Sequence, residues 1–398
     1  MSEQGSSAEP SPDERVGVWL VGARGSVAAT TITGAAAVAA GLAPETGIVT
    51  ASPPFTDAPL PAVGDLAFGG HDVVETPLAL RTARLVDSGV LPPGVPEAVR
   101  DQLAIAEDNL RAGITWNEAR TDPRAAADKI AADLAAFRDK HRLGRVVVVN
   151  VSSTEAPFDS HAAHEDPDAL LAALDRRLAI LPPSSLYALA AIESGCAYID
   201  FTPSTGARLP ALIALAEANG IPVAGNDGKT GETFMKAVLA PGFAARALRV
   251  RSWAGTNILG GGDGASLADP SRQRAKVDAK GRALEQILGY PIEAPVRIDH
   301  VRDLGEWKTA WDHVTFEGFL GVRMRMQFTW EGCDSALAAP LVLDLARLVA
   351  FALGRGESGV LGELAFFFQD PAGTEHHSFH HQYEMLREWV AESVEESV

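Results

Sequence analysis

Lysine is scarce in this chain. Of 34 basic residues only seven are lysine, and five of those, Lys229, Lys236, Lys276, Lys280 and Lys308, fall between residues 229 and 308. A lysine ammonium is a compact charge whose pKa drops on burial or beside other cations, so it can exchange a proton near neutrality; a guanidinium cannot. Four segments gather glycines and lysines: "GNDGKTGETFMK" (225–236), "NILGGGDG" (257–264), "RAKVDAK" (274–280) and "GEWK" (305–308). Lys276 and Lys280 are four apart and share one face of a helix, where a bound anion would offset their repulsion. The plainer reading of that pair is a solvated helix face. Fixed cations of this kind suit two tasks, holding negative charge that develops on oxygen and moving protons in a water-poor pocket.

Such groups need a scaffold. "VGVWLV" (16–21) reads as a buried strand, followed by "GARGSVAATT" and an Ala-rich helix. Gly22, Gly25 and Ala28 give G-x-x-G-x-x-A where the dinucleotide fingerprint has G-x-G-x-x-G, with Arg24 in the place of the second glycine. Gly22, Ala23, Arg24, Gly25, Ser26 and Val27 are therefore candidate contacts to a dinucleotide pyrophosphate, against the alternative of a tight structural turn. "AAADKIAADLAAFRDKHRL" reads as an amphipathic helix leading into "RVVVVNVSSTE", whose valine run marks a strand buried on both faces. Ser152, Ser153 and Thr154 lie just past that strand's C-terminal end, where open α/β sheets bind ligands; a helix N-cap is the other reading. Residues 53–122 read as an irregular proline-rich insertion after the second strand. Asp72, in its "FGGHDVVETPL", joins the candidate cofactor contacts, but the ribose ligand is not identified, so NAD and NADP are not separated.

Strand and helix units alternate through residue 228, implying a doubly wound parallel sheet. After 246, "ALRVRSWAG", "APVRIDHVRD" and "VRMRMQFTWEG" alternate apolar with polar, the pattern of antiparallel strands with one covered face. A helical pattern returns at about 335 and is expected to pack back on the first domain. The fold class is thus α/β, a Rossmann-like sheet plus an α+β domain with a mixed or antiparallel sheet. The expected division is a disordered tail (1–15), a dinucleotide domain (16–233), a catalytic and oligomerisation domain (234–334) and a returning C-terminal segment (335–398).

A formal charge of −18 supplies no basic surface for nucleic acid or an anionic membrane, so an anionic substrate needs a local cationic pocket. Cys196 and Cys333, without CxxC spacing, suit a reducing cytoplasm as buried thiols. No run of 18 apolar residues and no signal-like start is found, so neither membrane span nor secretion is expected. "HHSFHH" (376–381) puts histidines at i,i+4 on an expected surface helix face, with no supporting carboxylate for a metal, and "EWVAESVEESV" reads as a solvated acidic end.

Taken together, the ordered segments resemble the myo-inositol-1-phosphate synthase (inositol-3-phosphate synthase) family. "GNDGKTGETF" is similar to its GDDxKSGQT, "LGGGDG" to LGNNDG, "RAKVDAK" to RSKxxxK, "GEWK" to GDSK and "DSALAAPLVLDL" to DSLLAAPxxxDL, over roughly residues 145–370. The resemblance implies NAD-dependent conversion of glucose 6-phosphate to 1D-myo-inositol 3-phosphate by oxidation at C5, enolisation at C6, aldol closure onto C1 and re-reduction. It implies Lys276, Lys280, Lys308 and Asp334 as active-site residues. Asp227, Lys229, Thr230, Gly231 and Asp263 follow as substrate and phosphate contacts, with Asp227 also facing the cofactor, and a cytoplasmic homotetramer is expected. Where many members have FFFK this chain has "FFFQDP", placing Gln369 at a catalytic lysine position. An amide donates a hydrogen bond but no proton, so a ketose such as fructose 6-phosphate, closing to a five-membered cyclitol, is the alternative substrate. A semialdehyde or homoserine type dehydrogenase, and a non-catalytic nucleotide-binding relative, are the remaining alternatives.

Overall fold

The structure, a computed structural model, describes residues 15–261, 284–285 and 287–395. The expected N-terminal tail up to residue 14, and Asp263, Lys276 and Lys280, lie outside the described residues. Seven parallel strands form the first sheet: β1 (Val16–Val21), β2 (Leu66–Asp72), β3 (Leu110–Ala112), β4 (Arg145–Asn150), β5 (Ala197–Asp200), β6 (Pro222–Gly225) and β11 (Gly359–Val360). Their order is β11-β6-β5-β4-β1-β2-β3. Every residue of β1 is buried, as helices on both faces require and as its unbroken apolar sequence anticipates. The chain reverses its direction of travel between β1 and β4, and a ligand crevice opens beyond the strand ends at such a switch point.

Residues 53–122 are not the irregular insertion expected from their prolines. They contain β2, β3 and several helices, among them Leu78–Asp87 and Arg100–Glu107. The "FGG" that reads as a loop is strand because β2 lies hard against β1: a Cβ on Gly70 would come 2.2 Å from the Leu20 carbonyl oxygen.

The second sheet holds β7 (Arg249–Leu259), β8 (Val296–His300), β9 (Trp307–Glu317) and β10 (Arg323–Cys333) in the order β10-β9-β7-β8. It is mixed, one of the two arrangements expected: β8 runs parallel to β7, while β9 pairs antiparallel with both β7 and β10. Trp253, Val314 and Phe243 form its own small core, under the helix Gly231–Ala245.

The helix Asp334–Gly354 returns to the first sheet and packs along the helix Ser26–Ala39. It is long and apolar enough to cross a membrane, yet its apolar window is 67% buried inside the fold. Asp344 within it accepts from Val49 N (2.9 Å), Thr50 N (2.8 Å) and Thr50 Oγ1 (2.6 Å), which ties the segment before β2 to this helix. The C-terminal end is not a solvated tail. The helix Phe379–Glu395 buries Val390 and Ser393 and sets Trp389 against Phe351. His376 and His377 precede that helix, so the expected i,i+4 histidine pairs do not form, and the His376 ring instead meets His381 at 4.1 Å.

Candidate functional site

At the switch point three strand ends meet. Gly22, φ +87°, donates to the His71 carbonyl at 2.9 Å, and a Cβ on it would lie 2.8 Å from Ser152 Cα. The turn closes with Gly25 N donating to Gly22 O at 2.9 Å. Arg24 N donates to Asp72 Oδ2 (2.7 Å) while Val74 N donates to Asp72 Oδ1 (2.8 Å), so the carboxylate is fixed at the end of β2. Gly22, Arg24, Asp72 and Ser152 are thus brought together, with exposed Ser153 and buried Thr154 following on. The helix Ser26–Ala39 starts at Gly25 with no side-chain cap and no acidic residue in its first turn, leaving its amide groups for an anion. Close backbone approach, uncapped amides and an acidic β2 end fit a dinucleotide's pyrophosphate and ribose.

Below this floor Asn150 spans to Asp200, donating to both carboxylate oxygens at 3.2 Å, and accepts from Ser152 Oγ at 2.7 Å. Thr202 and Tyr198 also donate to Asp200. Burial pushes the Asp200 carboxyl up to about 6 despite these donors.

The second half of the site lies where β6 ends. "GNDGK" pairs through its backbone with "FFFQD": Lys229 N donates to Phe367 O (2.8 Å), Gln369 N to Asp227 O (2.6 Å) and Asn226 N to Asp370 O (3.0 Å). Two segments about 140 residues apart in sequence become neighbours in this way. Asp227, φ +63°, and Gly231, φ +53°, shape the loop that opens the helix Gly231–Ala245. Above that helix N-terminus, register sets Lys308 on β9 opposite Gly332, two residues before Asp334. Lys308 Nζ reaches Asp334 Oδ2 at 3.3 Å, and Thr230 Oγ1 reaches Oδ1 at 3.4 Å. A Cβ on Gly231 would lie 3.2 Å from Asp334 Oδ1 and 3.7 Å from Lys308 Nζ, so only glycine leaves this corner open. Thr230, Gly231, Lys308 and Asp334 therefore converge on a helix N-terminus, a place that favours a phosphate.

Lys229 is not gathered with them. Its Nζ turns inward to Gln382 Oε1 (2.6 Å) and the Ala365 carbonyl (3.4 Å), 5.4 Å from the centre of the Phe379 ring. Burial pulls its pKa down to about 7. Lys229 lines one cavity with Thr233, Lys236, Gln369 and His377. Gln369 accepts from Thr233 Oγ1 at 2.8 Å, and its Nε2 is buried without a partner among the described residues.

Several residues beside the clustered lysines escape sequence reasoning. Glu232, Lys236 and Asp312 form a buried cluster: Lys236 pairs with Glu232, lies 3.7 Å from Asp312, and Trp253 Nε1 donates to Asp312 Oδ1 at 2.7 Å. Burial first, then the Glu232 charge, lifts the Asp312 carboxyl to about 6. Asn257 is 1% exposed, and neither carboxamide atom has a partner among the described residues. Strand alternation puts it on the face shared by Lys308 and Asp312, whose β7 partners are Leu259 and Gly255. Its place in "NILGGGDG" was the available signal. The buried acids carried none, because a carboxylate inside a helix or strand pattern reads as surface.

A doubly wound sheet of dinucleotide-binding type joined to a mixed sheet, with a lysine and an aspartate set over a helix N-terminus between them, is the architecture of a dinucleotide-dependent enzyme. The family model for myo-inositol-1-phosphate synthase, an NAD-binding family, matches residues 16–391. Inositol-3-phosphate synthase 1 of Bacteroides thetaiotaomicron is 30% identical over 407 residues, covering 94% of this chain and 93% of that protein. The rice inositol-3-phosphate synthase 1 is 29% identical, over 73% of this chain and 60% of its own length. The crystal structure of the Caenorhabditis elegans inositol-3-phosphate synthase shares the fold with a TM-score of 0.84 at 24% identity, covering 94% of this chain and 85% of that one. The chain belongs to the myo-inositol-1-phosphate synthase family. It is an enzyme of the isomerase type, and NAD is its cofactor.

Proposed function

We propose that this enzyme cyclises glucose 6-phosphate to 1D-myo-inositol 3-phosphate, with the corner of Thr230, Gly231, Lys308 and Asp334 holding and activating the sugar. The observation that carries the reading is the convergence of Lys308 and Asp334 on the N-terminus of the helix Gly231–Ala245. In this reading Thr230 and the first amides of that helix hold the phosphate, whose charge the helix dipole favours. Bound NAD supplies oxidation at C5 and the later reduction of the same carbon. Gly22, Gly25, Ser26 and Ser152 hold its pyrophosphate, and Asp72 its ribose. Lys308, kept in place by Asp334 and with a side chain only 12% exposed, donates to the C5 oxygen, which turns enolate as C6 loses its proton and returns to a neutral ketone when C6 attacks C1 and the charge passes to the C1 oxygen. Lys276, Lys280 and Asp263 complete this proposed set from the segment between β7 and β8. Asp227, below the loop, fixes the strip that carries Gln369 through its own carbonyl.

Gln369 favours a second reading. Its amide stands where the family resemblance places a lysine and supplies no proton, which suits a ketose such as fructose 6-phosphate closing to a five-membered ring. The test is to incubate the enzyme with NAD⁺ and each sugar phosphate, following phosphorus NMR and NADH absorbance together. A new phosphate ester from glucose 6-phosphate without accumulating NADH is expected. The same product from the ketose alone would replace the first reading by the second, and stoichiometric NADH release would overturn both. Gln369→Lys should raise turnover on glucose 6-phosphate relative to the ketose.

A further inference from the structure

In doubly wound sheets, an acidic residue at the end of the second strand accepts from the ribose 2′-hydroxyl of NAD, whereas a nearby arginine takes the 2′-phosphate of NADP. This chain has both at the same corner, Asp72 closing β2 and Arg24 in the turn after β1. The Arg24 amide is bonded to Asp72 itself. Which group meets the ribose then depends on what holds the guanidinium.

The guanidinium is held by two contacts, and the backbone it departs from by a third. Its NH2 forms an ion pair with Glu107 Oε1, from the helix Arg100–Glu107. Its NH1 lies 3.5 Å from the Val74 carbonyl, in the loop directly after Asp72. The Arg24 carbonyl accepts from Arg81 Nε at 2.9 Å, fixing the backbone from which the side chain departs. Glu107 is fixed in turn, its second oxygen accepting from Leu78 N at 2.7 Å. The pair is sheltered, with side chains 15% and 30% exposed. In such a setting the attraction is stronger than between solvated charges.

We propose that Glu107 sets the choice of dinucleotide: by neutralising and clamping Arg24 it denies a 2′-phosphate that cation and leaves Asp72 to face the ribose. Because Asp72 accepts two backbone hydrogen bonds in fixed geometry, it retains lone pairs for a 2′-hydroxyl and repels a phosphate. The inference rests on the reading that the Gly22 turn holds a dinucleotide.

The test is calorimetric titration of the full chain with NAD⁺ and with NADP⁺, for the natural protein and for Glu107→Gln. The amide keeps an acceptor for Leu78 N but loses the charge. Expected is an NAD⁺ affinity within about threefold of the natural protein and an NADP⁺ affinity raised at least about tenfold, the scale of one charge-assisted hydrogen bond. Adding Arg24→Met to Glu107→Gln should cancel the NADP⁺ gain. A ratio of the two affinities left unchanged by Glu107→Gln, or a gain that survives Arg24→Met, overturns the proposal. Should Glu107→Gln melt early, Arg24→Met alone decides: it must leave NADP⁺ binding as weak as before, and a rise would overturn the proposal. Failure of the natural protein to bind either dinucleotide is a different result, since it removes the reading of the turn itself.

Discussion

Replacing Lys229 by methionine should stabilise the protein at pH 7 and destabilise it at pH 10. An amine held at about 7 in the fold against its ordinary 10.5 gives up a proton that the unfolded chain keeps. At pH 7 that difference corresponds to roughly 5 kcal/mol of native-state cost, falling by about 1.4 kcal/mol for each pH unit up to 10.5. Methionine removes this cost with a side chain of similar length. It also strands Gln382 Oε1, now bonded to Nζ at 2.6 Å, at a cost of about 1–3 kcal/mol for a buried acceptor. Near neutrality the first effect wins by roughly 2–4 kcal/mol, and the two cancel at about pH 9. The sign follows from the depressed pKa of a base: between about 7 and 10.5 the native state binds fewer protons than the unfolded state, so the natural protein gains stability as pH rises and the methionine variant does not. Urea unfolding of both proteins at several pH values measures this directly. Parallel curves across that range would mean that the amine stays charged inside the fold, and the account of its burial would be wrong.

Gly22→Ala should lower NAD⁺ affinity more than about tenfold by calorimetry with circular dichroism unchanged. A Cβ 2.8 Å from Ser152 Cα, on a residue at φ +87°, adds a clash to a left-handed backbone cost of about 1–2 kcal/mol. Asp344→Ala should cost about 2–4 kcal/mol in urea unfolding, because Val49 N, Thr50 N and Thr50 Oγ1 lose their shared acceptor. Burial raises Asp344 to about 6, so its carboxyl holds a proton in the fold after the unfolded chain has lost it. The deficit of the alanine variant is therefore largest near pH 4 and shrinks toward pH 6.

The parallel sheet was legible where burial on both faces writes an unbroken apolar run, as in β1 and β4. It was illegible at β2, where packing against Leu20 demands glycines that read as a turn. Lys308, Asp334, Thr230 and Gly231 were legible as types in glycine-rich segments, but the reason they meet is register: β9 and β10 carry Lys308 to the start of the helix that Asp334 opens. Lys229 shows the opposite case. Its segment suggests phosphate, and its partners Gln382, Phe379 and Ala365 come from the returning C-terminal segment, Phe379 from the "HHSFHH" stretch that reads as a surface helix face. The buried acids Glu232, Asp312 and Asp344 were missed for one reason, that a charge inside an element is tolerated only when tertiary partners supply what water would, and partners are not a local property of sequence.

One helix joins both halves of the candidate site, and this limits how the gene can change. Asp334 begins it beside Lys308, and Asp344, ten positions on, grips the segment before β2 while the helix flank lies against the helix that follows the Gly22 turn. Substitutions that preserve volume along it are tolerable. An inserted or deleted codon between the two aspartates is not, because one residue turns the helix by about 100° and moves it about 1.5 Å. Asp334 would leave Lys308 while both sheets stayed folded, so this stretch should diverge in letters but not in length.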